Sequence, residues 1–445
     1  MTRVASSVLL ALVGLACVPA PIVGEDVMPL DGALHLQDVG REGAYGRNPD
    51  ATAPGTKTVA SGDDVGGFAA ALSSRWVHRG IHADEGVDVD AVLALLRQEL
   101  AVARSRGDRR AAVRRATCRL GDGQLRIVER TDRLHSDTGL SVRAVGPAFL
   151  VEGTDGRYDG DLAPGDRIMA VDGVDALRWA DSTCVAPGSS DGHRREQLAQ
   201  SLERSAASRH ADRKRPKVVK VRRAKNGDVR EVSLRWRDES DAQCVEGEAL
   251  TSEVGVVTVH RLDCDAQAFA EQLTEAAQAA GGTHVMLDLR RTLGDHEGNA
   301  QVLARRVSPA ATVWATKRPA SSADFINVAL PEAGPPMQAQ TRWLLVSPRC
   351  DGTCELAAAV IAADPLVTTV GRATAGSVAE TDTVSVGKAA VVQVPTVTYA
   401  LPNTVTVIEG RGVTPDIAVT ATVDVLARGH DPEVVAVARR IAGRD

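Results

Sequence analysis

The chain has 445 residues, 44% apolar and 25% charged, a normal balance for a globular protein of about two or three domains. Its 52 basic and 58 acidic side chains give a net charge of −6, which argues against nucleic acid as a partner. Only 3% of residues are aromatic, so the core is expected to be filled by small aliphatic side chains.

Arg3 opens the chain with a positive charge, and Val8 to Val18 is an apolar run too short to span a bilayer as a helix. The run Val13-Gly14-Leu15-Ala16-Cys17 resembles a bacterial lipoprotein cleavage site, with Gly14 where leucine is preferred. That resemblance implies a signal peptide over 1–17, Cys17 as the lipid-bearing first mature residue, and a place in the bacterial cell envelope, either periplasmic or membrane-anchored. Simple secretion is the alternative. Removing Cys17 leaves Cys118, Cys184, Cys244, Cys264, Cys350 and Cys354, an even number that suits disulfides in an exported chain. Cys350 with Cys354, and His78 with His82, also have spacings that metal ligands use. The two pairs lie far apart and no motif joins them, so no metal or cofactor is expected.

Residues 18–67 are rich in Gly, Pro, Asp and Thr and read as a flexible tether. An N-terminal helical segment is expected over 68–130. Val89, Val92, Leu93, Leu96 and Leu100 recur at helical spacing behind a plausible N-cap, Asp88, and a second helical run covers Arg109 to Leu120. Gly121 to Arg126 then turns the chain into a strand. Residues 135–238 form a further unit. Pro164-Gly165 makes a tight turn, Ile168 to Val171 a strand, Asp172-Gly173 a hairpin turn, and a helix lies near Arg194 to Leu202. Valines interleave with the basic residues between Arg209 and Arg235, as on the solvated face of a hairpin.

From 250 to 445 strands and helices alternate, which predicts an α/β core with a substantially parallel sheet. Strands are expected at Val254 to Val259, His284 to Leu289, Arg342 to Val346 and Leu366 to Val370. Helices are expected at Ala266 to Ala280, Asn299 to Val307, Cys354 to Ala363 and Asp431 to Ile441. Val391 to Ala400 and Thr404 to Ile408 add β-structure.

Five motifs in order carry a resemblance to a known family. They are Leu120-Gly121-Asp122-Gly123-Gln124, the turn and strand from Leu162 to Val174, Leu287 to Asp295, Ser347 to Ala359, and Ile408 to Asp416. Together they resemble the tail-specific (C-terminal processing) serine proteases, in the tricorn-core-like branch. The resemblance implies an α/β fold: a crotonase-like spiral protease core with a PDZ-like β-rich domain and an N-terminal helical segment. It also implies peptides or protein C-terminal tails as partners.

The family's catalytic positions are altered in this sequence. Gly352 stands three residues before Glu355, where the family carries its serine nucleophile, and a glycine has no group to attack a carbonyl. Gln124 stands where the branch carries a histidine general base, and an amide does not take a proton near neutrality. Glu409 matches the branch's supporting acid. Gly294 matches the oxyanion region, where glycines let backbone N–H groups approach, but its neighbour is the carboxylate Asp295. Ser377 occupies the position of the lysine in the Ser/Lys branch. Cys354 has three readings: a disulfide partner of Cys350, an inert thiol, or a substitute nucleophile at a helix start. Gly139-Leu140 is the candidate loop for a peptide carboxylate, with a PDZ fold used only for packing as the alternative. The leading expectation is an exported, catalytically degenerate member that binds peptides or tails. The alternative is an active serine- or cysteine-type endopeptidase.

Overall fold

In the computed structural model of the protein, residues 65–128, 135–182, 190–206, 217–238 and 243–443 are described. The signal segment with Cys17, the tether as far as residue 64, and Cys184 lie outside them. Gly66 already opens a helix, so the expected tether is shorter by its last residues.

Four helices follow, Gly66–Ser74, Arg79–Asp84, Val89–Val102 and Arg106–Leu120. The third starts where Asp88 accepts from the Ala91 N–H at 2.9 Å, and its Val89, Val92, Leu93, Leu96 and Leu100 are buried as the spacing requires. The fourth carries a capping box made by Ser105 and Asp108 and stops at Gly121, whose φ of +77° is the left-handed C-cap conformation. These helices bury Phe68, Leu72 and Trp76 against Val384, Val386, Val392 and Val394 of a hairpin far along the chain. Their core is therefore shared with the C-terminal part of the protein. The strand expected after Gly121 does not form up to residue 128; Ile127 makes a single antiparallel bridge to Val392.

The PDZ-like unit is an antiparallel sheet in the order Leu140–Val145, Ala148–Thr154, Arg167–Val171, Lys217–Arg222, Val229–Leu234. Asp172 and Gly173 both have positive φ, 50° and 80°, which is the turn that suits a two-residue hairpin. Val219 and Val221 face the core while Lys220 and Arg222 face solvent, so the basic run here is a solvated strand face. Helix Asp191–Glu203 lies beside the edge strand Leu140–Val145.

The core sheet runs Val245–Ala249, Val254–Val259, His284–Asp288, Thr341–Val346, Val367–Gly371, Ile417–Ala418. The first pair is antiparallel and the rest are parallel, with Val257, Leu287, Leu344 and Thr369 in one row. Alternate residues face opposite layers. Leu287, Leu344 and Val346 pack with the helices Ala266–Ala280, Glu297–Val307 and Gly352–Ala362, and Met286, Trp343 and Leu345 pack with Pro432–Ile441. The first of these helices lies almost on strand backbone. A Cβ on Gly247 would stand 1.9 Å from the Ala276 carbonyl oxygen, and one on Gly255 would stand 2.2 Å from that of Ala280.

A second antiparallel sheet, Ile326–Ala329, Val313–Pro319, Ala390–Ala400, Ala379–Val386, contains strands that the sequence pattern did not announce. Thr404 to Ile408 is not a strand: Val407 makes one bridge to Ala400 within a turn-rich loop.

A buried ion-pair network joins the PDZ-like unit to the core. Arg349 donates from Nε to Glu196 at 2.8 Å and from Nη1 to Glu203 at 2.6 Å, and Arg372 reaches Glu196 at 2.6 Å. In the other direction Arg143 makes a forked pair with Glu433 at 2.7 and 3.0 Å. Burial works to raise Glu196, but the Arg349 and Arg372 guanidinium groups outweigh it and hold the carboxyl below its ordinary 4.5. Its stabilisation is complete above that pH and is lost as the pH falls through the lower folded value. Arg349→Met removes the shared cation from two buried carboxylates, leaving Glu196 with Arg372 and Glu203 with Arg291 at 3.5 Å, so it is expected to lower unfolding free energy by about 3 kcal/mol near neutrality. Urea unfolding at pH 6 and pH 3 should show the gap between the two proteins narrowing in acid; an equal gap at both pH values would refute this assignment.

Candidate functional site

The turn at 347–352 is fixed from its first residue. Ser347 Oγ donates to the Arg290 carbonyl at 2.7 Å, and Cys350 N–H returns to the Ser347 carbonyl at 3.0 Å. Cys350 and Cys354 are buried and joined by a disulfide, with Cα atoms 5.3 Å apart. Of the three readings of Cys354 the structure therefore has the disulfide, and in this form the residue carries no thiol. Cys244 and Cys264 form another disulfide, and Cys118 is disulfide-bonded as well.

Gly352 begins helix Gly352–Ala362 with φ +57°, a conformation that costs a side-chain-bearing residue about 1–2 kcal/mol. Its N–H donates to the Ser377 carbonyl at 2.9 Å. Gln124 is buried and donates from Nε2 to the same carbonyl at 2.9 Å and to Ser377 Oγ at 3.2 Å. The nucleophile, base and lysine positions of the family pattern thus meet on one carbonyl group, brought together from three distant parts of the chain.

Glu355 holds that meeting point. It accepts from Gly376 N–H and Ser377 N–H, each at 2.7 Å, and from Thr374 Oγ1. Burial pushes Glu355 up to about 7 against these hydrogen bonds.

Gly294 has φ +80° and passes so close to Asp263 that a Cβ there would lie 2.5 Å from its carboxyl carbon. The next residue decides the electrostatics. Asp295 Oδ1 accepts from Thr353 N–H at 3.1 Å and lies 3.0 Å from where a Cβ on Gly352 would stand. A helix N-terminus is a natural anion site, and here an internal carboxylate fills it. Burial also raises Asp351 to about 6, with Arg126 opposing and Asp295 adding to the shift.

Two histidine groups were not assigned to this site from the sequence, which noted His78 and His82 only for their spacing. His193, on the PDZ-like unit, is buried 3.8 Å from Asp351, and burial pushes it down to about 4, so it is neutral. His78 and His82 meet Asp122 and Glu409 in a buried cluster. His78 Nδ1 is 2.9 Å from Asp122 Oδ2 and 3.5 Å from Glu409 Oε2, and His82 Nε2 is 3.3 Å from Glu409 Oε1. Burial lowers His78, but Glu409 and Asp122 outweigh it and raise the imidazole above its ordinary value. The sequence offered the His78–His82 spacing, Asp122 in a motif and Glu409 as a supporting acid, but nothing that joined them.

The peptide-carboxylate candidates are placed at a PDZ-like loop but are already engaged. Gly139 N–H donates to Asp137 at 2.7 Å and Leu140 N–H to Thr138 Oγ1 at 3.3 Å. The edge strand beyond them is also occupied. Glu203 and Glu196 accept from Val142 N–H and Ala144 N–H, while Arg349 and Arg372 donate to the Val142 and Ala144 carbonyls. These are the groups that an added peptide strand would use.

An α/β protease core with a PDZ-like unit and a three-way junction at the serine position defines a tail-processing peptidase scaffold. Residues 253–419 match the family model of peptidase family S41, which supports the tail-specific protease family for the core of this chain. Its fold matches the solved structure of mature CPAF complexed with lactacystin at a TM-score of 0.64 and 11% identity, covering 86% of this chain and 97% of that one. It also matches the photosystem II D1 C-terminal processing protease at 0.50 and 16% identity, over 83% and 95% of the two chains. At these identities the likeness is one of fold. Among curated proteins no sequence matches.

With the disulfides formed, Cys118, Cys244, Cys264, Cys350 and Cys354 should all resist maleimide in the denatured, unreduced protein and react after reduction. Mass-mapped labelling at Cys354 before reduction would reopen its role as a nucleophile.

Proposed function

We propose that this chain is an exported, lipid-anchored and catalytically silent tail-specific protease that binds peptides or protein C-terminal tails. The observation that carries the reading is the junction on the Ser377 carbonyl, where Gly352 and Gln124 offer neither a nucleophile nor a base. Loss of one triad member costs orders of magnitude, and loss of two leaves mainly binding and oxyanion effects. Asp295 weakens the second of these, because this carboxylate follows Gly294 of the oxyanion region and lies against position 352.

Tail binding in this reading requires Arg349 and Arg372 to yield the edge strand. A cavity of about 360 Å³ beside it is lined by Arg143, Arg290 and Arg291 together with Glu152, Glu196 and Asp431, so a terminal carboxylate would enter by competing for arginines that are already paired. The occupied edge also favours a second reading, a PDZ fold kept for packing.

The purified chain is expected to cleave an unstructured protein no faster than buffer does. Gly352→Ser with Gln124→His should stay inactive while Asp295 crowds position 352, and adding Asp295→Gly is the change expected to permit weak turnover. Cleavage by the unmodified chain that disappears in Cys354→Ala would establish the active endopeptidase instead. In parallel, Arg372→Ala should tighten binding of a fluorescent peptide with a free C-terminus; no binding by either protein would favour the packing reading.

The location rests on Arg3, the apolar run and Cys17. Cys17→Ala should move the protein from the membrane fraction to the soluble fraction, and a mature N-terminus well beyond Cys17 would exclude the lipid anchor.

A further inference from the structure

We propose that His78, His82, Asp122 and Glu409 form a closed binding site for one divalent transition-metal ion, with zinc the best match to this set of nitrogen and oxygen donors. The site goes beyond the tail-binding reading and does not depend on it.

The first argument is geometric. The facing atoms are 2.9 Å (His78 to Asp122), 3.5 Å (His78 to Glu409), 3.3 Å (His82 to Glu409) and 4.0 Å (His82 to Asp122) apart. The donor atoms of His78, Asp122 and Glu409 all lie within 4.8 Å of one another. Zinc bonds of about 2.0–2.1 Å in a tetrahedron put neighbouring donors about 3.3–3.4 Å apart. The His78 separations from Asp122 Oδ2 and Glu409 Oε2 lie near that edge length, and His82 joins the group through the other oxygen of Glu409, Oε1.

The second argument concerns orientation. His82 Nδ1 lies 3.0 Å from Glu85 Oε2, so Nε2 is the nitrogen that faces Glu409 Oε1, at 3.3 Å. The side chains of His78, His82, Asp122 and Glu409 are all buried, so two carboxylates share one enclosed space. One divalent ion would balance both of their charges there.

The third argument is the support around the donors. Trp76 Nε1 donates to Asp122 Oδ2 at 2.7 Å, Gln124 N–H donates to Asp122 Oδ1 at 2.8 Å, and the Trp76 ring stacks on His82 at 5.6 Å. Outer hydrogen bonds of this kind orient metal ligands. His78 caps helix Arg79–Asp84 and His82 lies within it, four residues on, a spacing that presents two imidazoles on one side of a turn. With all four donors buried, the ion's role would be structural, fastening the N-terminal helices to the segment that carries Glu409.

The test uses the full mature chain without a histidine tag. Elemental analysis after zinc loading and dialysis should give one zinc per chain, and cobalt should give the visible absorption of a four-coordinate site. Zinc should raise the melting temperature by several degrees and a chelator should reverse it. Glu85→Gln changes an exposed outer partner and should fold normally, with zinc affinity about 10–100-fold weaker. His82→Gln and Glu409→Gln should lose more, while His260→Gln at an exposed histidine should match the parent. Folded parent protein that retains no zinc and melts identically with zinc or chelator overturns the proposal. So does unchanged affinity in folded His82→Gln and Glu409→Gln.

Discussion

One guanidinium group carries the relation between the two halves of this protein. Arg349 leaves the turn that would present a nucleophile, crosses the boundary between units, and ends in a buried pocket made by Glu196, Glu203 and the Val142 carbonyl. A buried charge of this kind gives little net stability over a well-packed apolar contact, but it tolerates one arrangement only. It therefore fixes how the PDZ-like sheet sits on the core. It also fixes the chemistry of the sheet edge, since the donors and acceptors of Val142 and Ala144 are satisfied by Arg349, Arg372, Glu196 and Glu203. The same contacts that orient the domain close its usual docking edge.

The altered catalytic positions are not gaps in an otherwise unchanged site. Position 352 has the left-handed backbone of a sharp strand-to-helix turn, its N–H is bonded to Ser377, and the neighbouring Thr353 N–H is bonded to Asp295. The disulfide closes four residues across the start of the same helix. The backbone N–H groups of Gly352 and Thr353 thus both have internal partners, and interlocked hydrogen bonds of this kind favour a single arrangement.

Much of the fold could be read from the sequence because its signals are local. The strand Val254–Val259 and the helix Ala266–Ala280 fall where alternation and helical spacing put them, and the turn glycines mark their own positions. Gln124, Ser377 and Gly352 were placed by motif, and they do meet. What the sequence hid depends on long-range convergence. His78 and Asp122 are 44 residues apart, and His82 and Glu409 are 327 apart, so no spacing rule relates them. The strands Val313–Pro319 and Ala379–Val386 were missed for a similar reason. Their apolar pattern is broken by Lys317, Arg318, Glu380 and Asp382, and their pairing partners hold them in the sheet. Arg349 was visible as a residue of the turn, but its partners belong to another unit.

The contact of helix Ala266–Ala280 with Gly247 and Gly255 shows how a chain with few aromatic rings fills its interior. Backbone meets backbone there, without the interlocking of large side chains. Glycine and alanine have no rotamers to freeze, so this layer forms without the side-chain entropy loss that leucine or methionine would incur. Order in that layer is set by the path of the main chain. Its rigidity is therefore inherited from the sheet, and it has no alternative side-chain packings through which to loosen before the strands themselves separate.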